Sequence, residues 1–484
     1  MRNYVGIAGS NVCGRCVYHY LGRGFAVCEN YDAHATLPVC DDTHILHSII
    51  VYHKANRTTV IKRLKEILPQ IVRSDTENIL FIVGISIYWS LHWINFIGVP
   101  FITSTDTSTY FAAGEWFARG EIDYLRTPVY PLLCHYLHLY FGDYVLEAIV
   151  GVQLVIFYIS IVFFHRTISL FTNNWAYKFI PTALYAWSIP MFEMCMYIMT
   201  ESISVSATVV LLYCLSRMIV GKTGRGTIWS AAATLLFLIL LRPFNICFIP
   251  ILILILYISY RKGTLRHKIS AITSLSSVCV ALFGYCLWFK ITFGFFGFSY
   301  VSSLNIYLIS YVDGMTRMPY NELTVEQKIG HTTDYFWIWY DRDNCKAEAG
   351  QLVRDNLLHF AKGKVILIGQ SCFRLFPHAK TSVAHNYSVI FQCVCMNIIF
   401  IALAFLIVFE LWLWFKKKRR LVPLMAFHLL ICIICIGTTI IGSQNCEVAR
   451  LTMPMFPSLC LMVGIFAEQT QFSFKKDIEK QSTF

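Results

Sequence analysis

The chain has 484 residues, of which 56% are apolar and only 14% charged, with a mean hydropathy of +0.57 and a net charge of +12. A soluble domain carries about 25% charged residues, so the composition excludes a soluble globular enzyme and predicts membrane-spanning helices of about 20 apolar residues each. The basic residues stand in short clusters between apolar runs, as the positive-inside bias of membrane proteins requires. The positive charge therefore does not indicate nucleic-acid binding.

Residues 1–76 precede the first long apolar run and are expected to form a cytosolic N-terminal segment, or to reflect a start assigned too far upstream. The segment lacks the charged and apolar regions of a cleavable signal peptide. Cys13 and Cys16, with Cys28 and Cys40 downstream, leave a metal site open, but their spacings match no known zinc module. Free cytosolic thiols are the simpler interpretation, and no metal is predicted.

Ten apolar runs are predicted to span the membrane. They cover residues 79–101, 144–164, 176–198, 203–220, 228–241, 243–260, 269–291, 386–415, 421–442 and 448–468. A further apolar stretch at 128–142 is short and contains Pro131, which favours a re-entrant or interfacial helix over a span. The predicted fold is an all-α polytopic membrane protein of about ten transmembrane helices.

The basic clusters fall on one side of the membrane when the N-terminus is placed inside. They lie at 62–65, 166, 217–225, 261–268 and 416–420, and the predicted cytosolic tail 469–484 adds three lysines. This sidedness predicts a multi-pass protein of the cytoplasmic membrane with both termini in the cytosol. The predicted parts are a membrane core at 77–291 with a first external loop of amphipathic helices at 102–143, a large external loop at 292–385, and three final spans at 386–468.

Charged residues at predicted membrane depth gather on the external face. Asp106 follows the first span, and Glu201 lies at the outer end of the third. Arg242 joins the fifth and sixth spans, and Arg450 precedes the last. Charge near the hydrocarbon edge is costly unless it is paired or solvated. The pattern therefore predicts one outward-facing polar site built from several helices.

Carboxylates and arginines together favour one kind of external chemistry. A carboxylate can deprotonate an acceptor hydroxyl or amine, and the planar guanidinium of arginine binds phosphate through charge-assisted hydrogen bonds. No nucleotide is available outside a bacterial cytoplasm, so external glycosyl transfer needs a polyprenyl-phosphate donor. The sequence also has no Walker or Rossmann glycine pattern that would bind a nucleotide.

Several short motifs resemble those of GT-C membrane glycosyltransferases, which include the protein O-mannosyltransferases and the lipid A aminoarabinose transferases. Residues 106–113 (DTSTYFAA), Gly120 and residues 126–131 (RTPVYP) resemble the family's first external loop. Residues 200–202 (TES), 241–243 (LRP) and 449–454 (ARLTMP) resemble its later landmarks. The resemblance extends over roughly residues 79–468.

The resemblance implies an inverting transfer of a sugar from a polyprenyl-phosphate donor to a protein, lipid or polysaccharide acceptor, in contact with membrane lipids and without a cofactor. Asp106 takes the place of the family's catalytic aspartate, with Glu201 or Asp123 as its helper. Many members carry a second acid after the first, whereas Thr107 stands here. The candidate substrate-binding residues are Tyr110, Arg126, Tyr130, Arg242 and Arg450.

Structural roles and other functions compete with these assignments. Asp106 could N-cap the helix that follows it, Glu201 could be a solvated helix end, and Arg242 could reach lipid headgroups. Arg126 could be a loop cation, and Asp123 is expected on a solvated face. The competing functions are a transporter or flippase of lipid-linked sugars, which needs ionisable residues near the middle of several spans, and an O-antigen-type polymerase or ligase.

Overall fold

The computed structural model describes residues 75–294, 296–299, 408, 412, 427–435, 453–466 and 468. Within this part of the chain the secondary structure is helical, and the one β contact is an isolated bridge. Four predicted parts lie outside the described residues. They are the N-terminal segment up to residue 74, the large loop from residue 300 to 385, Arg450, and the tail 469–484.

Ten α-helices follow one another between residues 75 and 293. Short 3-10 helices at Gly142–Tyr144 and Pro243–Phe248 link the third helix to the fourth and the eighth to the ninth. The α-helices are α1 (Asp75–Ile97), α2 (Thr105–Ala118), α3 (Val129–Phe141), α4 (Val145–Ile168), α5 (Trp175–Ala186), α6 (Ile189–Met196), α7 (Glu201–Ile219), α8 (Arg225–Leu241), α9 (Pro250–Lys262) and α10 (Leu265–Phe293).

Four of the described helical stretches are long and apolar enough to cross a membrane. They are Asp75–Phe96, Val129–Ile168, Glu201–Ile219 and Leu265–Phe293, with mean hydropathies between 1.6 and 2.3. These helices confirm the coarse prediction of an all-α, membrane-embedded protein. The 40-residue stretch at Val129–Ile168 is about twice the length that a bilayer requires, and it joins the predicted interfacial stretch at 128–142 to a predicted span.

The predicted span at 176–198 is wrong in its continuity. α5 ends at Ala186, and α6 is a separate helix of 8 residues that begins at Ile189. Pro190 has no N–H group to donate to the carbonyl of Ala186, so a continuous helix would lose that hydrogen bond. The backbone after α6 is also non-helical until α7 begins at Glu201.

This non-helical segment pairs with the segment between α1 and α2. The N–H of Ile102 donates to the carbonyl of Met196 at 2.9 Å, and the N–H of Ile198 donates to the carbonyl of Ile102 at 3.0 Å. The two bonds form a parallel bridge between Ile102 and Tyr197. Since α2 begins three residues after Ile102 and α7 begins three residues after Ile198, the bridge places the first turns of α2 and α7 side by side.

α7 lies in the centre of the described bundle and packs against α4 and α8. Its first nine residues, 201–209, are all buried, and four of them carry small hydroxyl side chains. Small residues let membrane helices approach closely. The helix within 453–466 packs against the end of α4 so closely that a Cβ on Gly464 would lie 2.6 Å from Cδ1 of Ile168.

α2 and α3 form a tight helical hairpin at Gly114. A Cβ added to Gly114 would lie 2.4 Å from the carbonyl oxygen of Pro131 and 2.9 Å from the Cβ of His135. Real Cβ atoms do not approach a backbone carbonyl this closely, so the hairpin requires glycine at this position. The hairpin matters for function because it carries both Asp106 and the loop that contains Arg126.

We expect Gly114→Ala to lower the thermal unfolding midpoint of the protein in detergent. The added methyl group forces α2 and α3 apart, and overpacking of this kind costs about 1–3 kcal/mol. Gly151→Ala on α4 is the matched control, because its added Cβ meets no atom within 4 Å and alanine favours the helix by up to about 1 kcal/mol. A Gly114→Ala midpoint at or above the control's would contradict the close approach.

Candidate functional site

Two arginine–carboxylate pairs lie close together in the described structure. Nη2 of Arg126 is 2.8 Å from Oδ1 of Asp106, and Nη2 of Arg242 is 3.1 Å from Oε1 of Glu201. In the first pair each side chain is 17% exposed, whereas in the second the exposure is 12% for Arg242 and 3% for Glu201. The Asp106–Arg126 pair is therefore the more exposed of the two, and the Glu201–Arg242 pair is nearly enclosed.

The side chain of Tyr110 unites the two pairs into one site. The guanidinium of Arg126 lies over its ring, with Cζ 4.4 Å from the centroid, and Nη1 donates to its hydroxyl at 3.3 Å. Burial raises the pKa of Tyr110, Arg126 and Arg242 lower it, and Asp106 and Glu201 raise it. All four charged groups act on this one hydroxyl, so these five predicted site residues share a neighbourhood.

Tyr130 supports Tyr110 from inside the bundle. The two rings meet edge to face with their centroids 4.8 Å apart, a favourable arrangement for aromatic pairs. Tyr130 is fully buried, and its hydroxyl donates to Oε1 of Gln153 at 3.3 Å. A direct contact between Tyr130 and a substrate stays a prediction, whereas its packing beneath Tyr110 belongs to the fold.

Asp106 does not act as the N-cap of α2. The N-cap is Ser104, whose backbone N–H donates to Oγ1 of Thr107 at 2.9 Å. The carboxylate of Asp106 instead accepts a hydrogen bond from Arg126. Thr107 stands where the GT-C resemblance would place a second acid. Its hydroxyl accepts a hydrogen bond at the start of α2, so the ion pair is formed by Asp106 alone.

A tight turn positions Arg126 in the site. Oδ1 of Asp123 accepts the backbone N–H groups of Leu125 at 2.7 Å and of Arg126 at 2.5 Å. Asp123 is 7% exposed, so its predicted place on a solvated face is wrong; its carboxylate is enclosed because it closes this turn. Nε of Arg126 then donates to Oγ1 of Thr109 at 3.0 Å, which fixes the guanidinium between the loop and α2.

We expect Asp123→Asn to become more stable relative to the wild type as the pH rises above about 4, the ordinary pKa of an aspartate side chain. Burial raises the pKa of Asp123, while the two backbone N–H groups and Arg126 lower it by less. A carboxyl group with a raised pKa stabilises the fold at low pH, and this stability is lost as the pH rises through that value. The asparagine oxygen still accepts both N–H groups and carries no charge. The measurement is the difference between the two unfolding midpoints, and a difference independent of pH would contradict the burial of this carboxylate.

The end of α8 places Arg242 against Glu201. α8 ends at Leu241, Arg242 has an extended backbone, and Pro243 begins a 3-10 helix. Nδ2 of the fully buried Asn245 donates to the carbonyl of Leu238 at 2.8 Å and to Oγ of Ser204 at 3.0 Å, which ties this turn to α7.

One guanidinium nitrogen of Arg242 stands out. Nη2 binds Glu201, but Nη1 is buried and has no hydrogen-bond partner among the described residues. Buried N–H groups are nearly always satisfied. The Nη1 edge is therefore a position where an anionic oxygen of a substrate, or a group from outside the described residues, would form a charge-assisted hydrogen bond.

Sequence reasoning missed three polar residues that build the site. Thr109 holds Arg126, Asn245 holds the turn of Arg242, and Gln153 binds Tyr130. The signal for Gln153 was present, since a polar amide in a long apolar run marks a structural or functional constraint. Arg450 lies outside the described residues, so its role stays a prediction.

The arrangement combines proton acceptors with anion-binding groups. Asp106 and Glu201 can accept protons, and the two arginines can bind a phosphate group. Among the described residues no group of three or more His, Cys, Asp or Glu side chains is placed to hold a metal ion. No protein-family model matches the chain, and no curated protein matches it in sequence.

Proposed function

We propose that this protein is a membrane-embedded glycosyltransferase that moves a sugar from a polyprenyl-phosphate donor to an acceptor at the external face of the cytoplasmic membrane. The observation that carries the proposal is the pair of ion pairs, Asp106–Arg126 and Glu201–Arg242, around the hydroxyl of Tyr110. This site offers a carboxylate base beside guanidinium groups that bind phosphate. The resemblance to GT-C glycosyltransferases supports the same chemistry.

Asp106 is the proposed base, and Arg242 is the proposed phosphate ligand. Asp106 is more exposed than Glu201, so an acceptor can approach it. The acceptor oxygen or nitrogen bonds to the anomeric carbon while the bond from that carbon to the phosphate oxygen breaks. The proton of the acceptor goes to Asp106, and the electron pair leaves with the polyprenyl phosphate, which Arg242 binds through its Nη1 edge.

The proposed external position follows from the distribution of charge along α7. Glu201 is the first residue of this helix and Arg217 lies 16 residues later, so roughly 24 Å separate them at 1.5 Å per residue. Basic residues favour the cytosolic side. The two ion pairs then lie at the external end, where a polyprenyl lipid would present its phosphate at the membrane interface.

The charge distribution favours an enzyme over a carrier. Four described stretches are long enough to cross a membrane. Within them, every Asp, Glu, Lys and Arg lies no more than four residues from the end of an α-helix. A transporter of lipid-linked sugars would need ionisable groups nearer the middle of its spans. A polymerase or ligase of the O-antigen type would not need the Asp106 loop pattern.

The test compares surface glycans and glycoproteins of cells that have or lack the gene, by mass spectrometry. We expect one glycan or glycoprotein modification to disappear in the deletion and to return with the wild-type gene but not with Asp106→Asn. In parallel, the purified protein in liposomes should consume a polyprenyl-phosphate sugar and release polyprenyl phosphate. An unchanged surface together with no consumption of any offered donor would overturn the proposal.

A further inference from the structure

Gln153 of α4 connects the two halves of the site from within the bundle. Its side chain is fully buried, and Nε2 donates to the carbonyls of Cys195 at 2.8 Å and Tyr197 at 2.9 Å. Its Oε1 accepts the hydroxyl of Tyr130 at 3.3 Å. A glutamine amide offers two N–H donors and one carbonyl acceptor, and both kinds of group are used here.

The two carbonyls can accept from Gln153 because α6 ends beside them and the backbone that follows is not helical. The last carbonyls of α6 have no partner within the helix. The carbonyl of Met196 accepts the N–H of Ile102, and that of Cys195 accepts from Gln153. The carbonyl of Tyr197 accepts from Gln153 and also from the backbone N–H of Met199 at 2.8 Å. Irregular backbone in a membrane-embedded chain persists only where its polar groups are satisfied by protein or water. This requirement explains an amide side chain in an apolar helix.

We propose that Gln153 is a positioning residue that holds the Glu201–Arg242 pair in register with the Asp106–Arg126 pair. On one side it fixes the carbonyl of Tyr197, in the segment that leads to Glu201. On the other side it fixes Tyr130, whose ring supports Tyr110 and, through it, the guanidinium of Arg126. The kinetic consequence of this role rests on the proposed function, whereas its structural consequence does not.

The structural consequence is tested by hydrogen exchange of the full chain in detergent. Gln153→Met removes all three hydrogen bonds with little change in side-chain volume. We expect peptides that contain the amides of Ile102 and Ile198 to exchange about tenfold faster or more, because two backbone carbonyls beside the bridge each lose the hydrogen bond from Gln153.

Ser160→Ala is the matched control for this measurement. Ser160 lies seven residues further along α4 and its hydroxyl is 2.7 Å from that of Tyr185, so the variant also removes a buried hydrogen bond from the same helix. It should leave exchange at Ile102 and Ile198 unchanged. Unchanged exchange in Gln153→Met would overturn the proposal whatever the activity.

The kinetic consequence is tested in the sugar-transfer assay. Gln153→Met should lower kcat at least tenfold and change the KM for the donor by less than about threefold, because the binding groups remain while the base is misaligned. Faster exchange with a wild-type kcat would overturn the positioning role. Faster exchange in a protein whose wild type transfers no sugar would leave the positioning of the pairs standing and remove the proposed function.

A second variant tests the proposal if Gln153→Met does not fold. Tyr130→Phe removes only the hydroxyl that donates to Gln153. We expect it to lower kcat severalfold while exchange at Ile198 stays as in the wild type, because the two carbonyls keep their donor. A wild-type kcat in Tyr130→Phe would break the proposed link between Gln153 and the Asp106–Arg126 pair.

Discussion

Asp106→Asn is expected to lower the rate of sugar transfer at least a hundredfold while the protein remains folded. The asparagine oxygen can still accept the hydrogen bond that Arg126 donates to Asp106 at 2.8 Å, but the amide cannot take a proton. Loss of a general base costs about 10²–10⁴-fold in rate. The measurements are the initial rate at saturating donor and the thermal unfolding midpoint.

The structure makes this substitution a clean test, because Ser104 and Thr107 rather than Asp106 form the start of α2. Glu115→Gln is the control, since Glu115 is an exposed carboxylate on the same helix and its loss should leave the rate unchanged. A near-wild-type rate in Asp106→Asn would make Asp106 structural and would pass the role of base to Glu201.

Arg242→Ala is expected to destabilise the protein by about 3–5 kcal/mol, the typical effect of removing one partner of a buried ion pair. Glu201 would be left 3% exposed with its guanidinium partner gone. The variant should also lose donor binding, but a fall in stability of this size would make such a loss hard to interpret. Unfolding midpoints in detergent measure the first effect.

A double variant separates the two effects of Arg242. Glu201→Gln with Arg242→Met removes both charges, so no uncompensated carboxylate remains and most of the stability should return. Affinity for the donor should stay at least tenfold below that of the wild type, because a charge-assisted hydrogen bond of about 1.5–3 kcal/mol is missing. Wild-type donor affinity in the stable double variant would show that the phosphate is bound elsewhere, with Arg126 and Arg450 as the next candidates.

The sequence was sufficient to predict an all-α, membrane-embedded protein and to select charged residues that the structure places near one another. Hydropathy places spans without tertiary information, and the cost of charge near the hydrocarbon edge singled out Asp106, Glu201 and Arg242 as members of one site. The arrangement of these residues into pairs was not predictable. It depends on the bridge between Ile102 and Tyr197, which forms between segments 95 residues apart and has no local signature.

Local rules also failed where tertiary contacts override them. Asp123 lies in a polar loop and was therefore predicted to be solvated, yet it is buried and its carboxylate accepts two backbone N–H groups. Pro190 predicts the division of 176–198 into two helices. Mean hydropathy over a window of about 20 residues does not detect it, because one proline changes the mean very little.

The bridge at Ile102 has an electrostatic consequence beyond alignment. It brings together the N-terminal ends of α2 and α7, and each helix has an acid in its first turn, Asp106 and Glu201. A helix N-terminus acts like roughly half a positive charge. Two carboxylates and two guanidinium groups sum to zero formal charge, so the helix ends add about one positive charge to the site. In the proposed transfer, the phosphate diester of the donor becomes a monoester and gains about one negative charge, which the helix dipoles would offset.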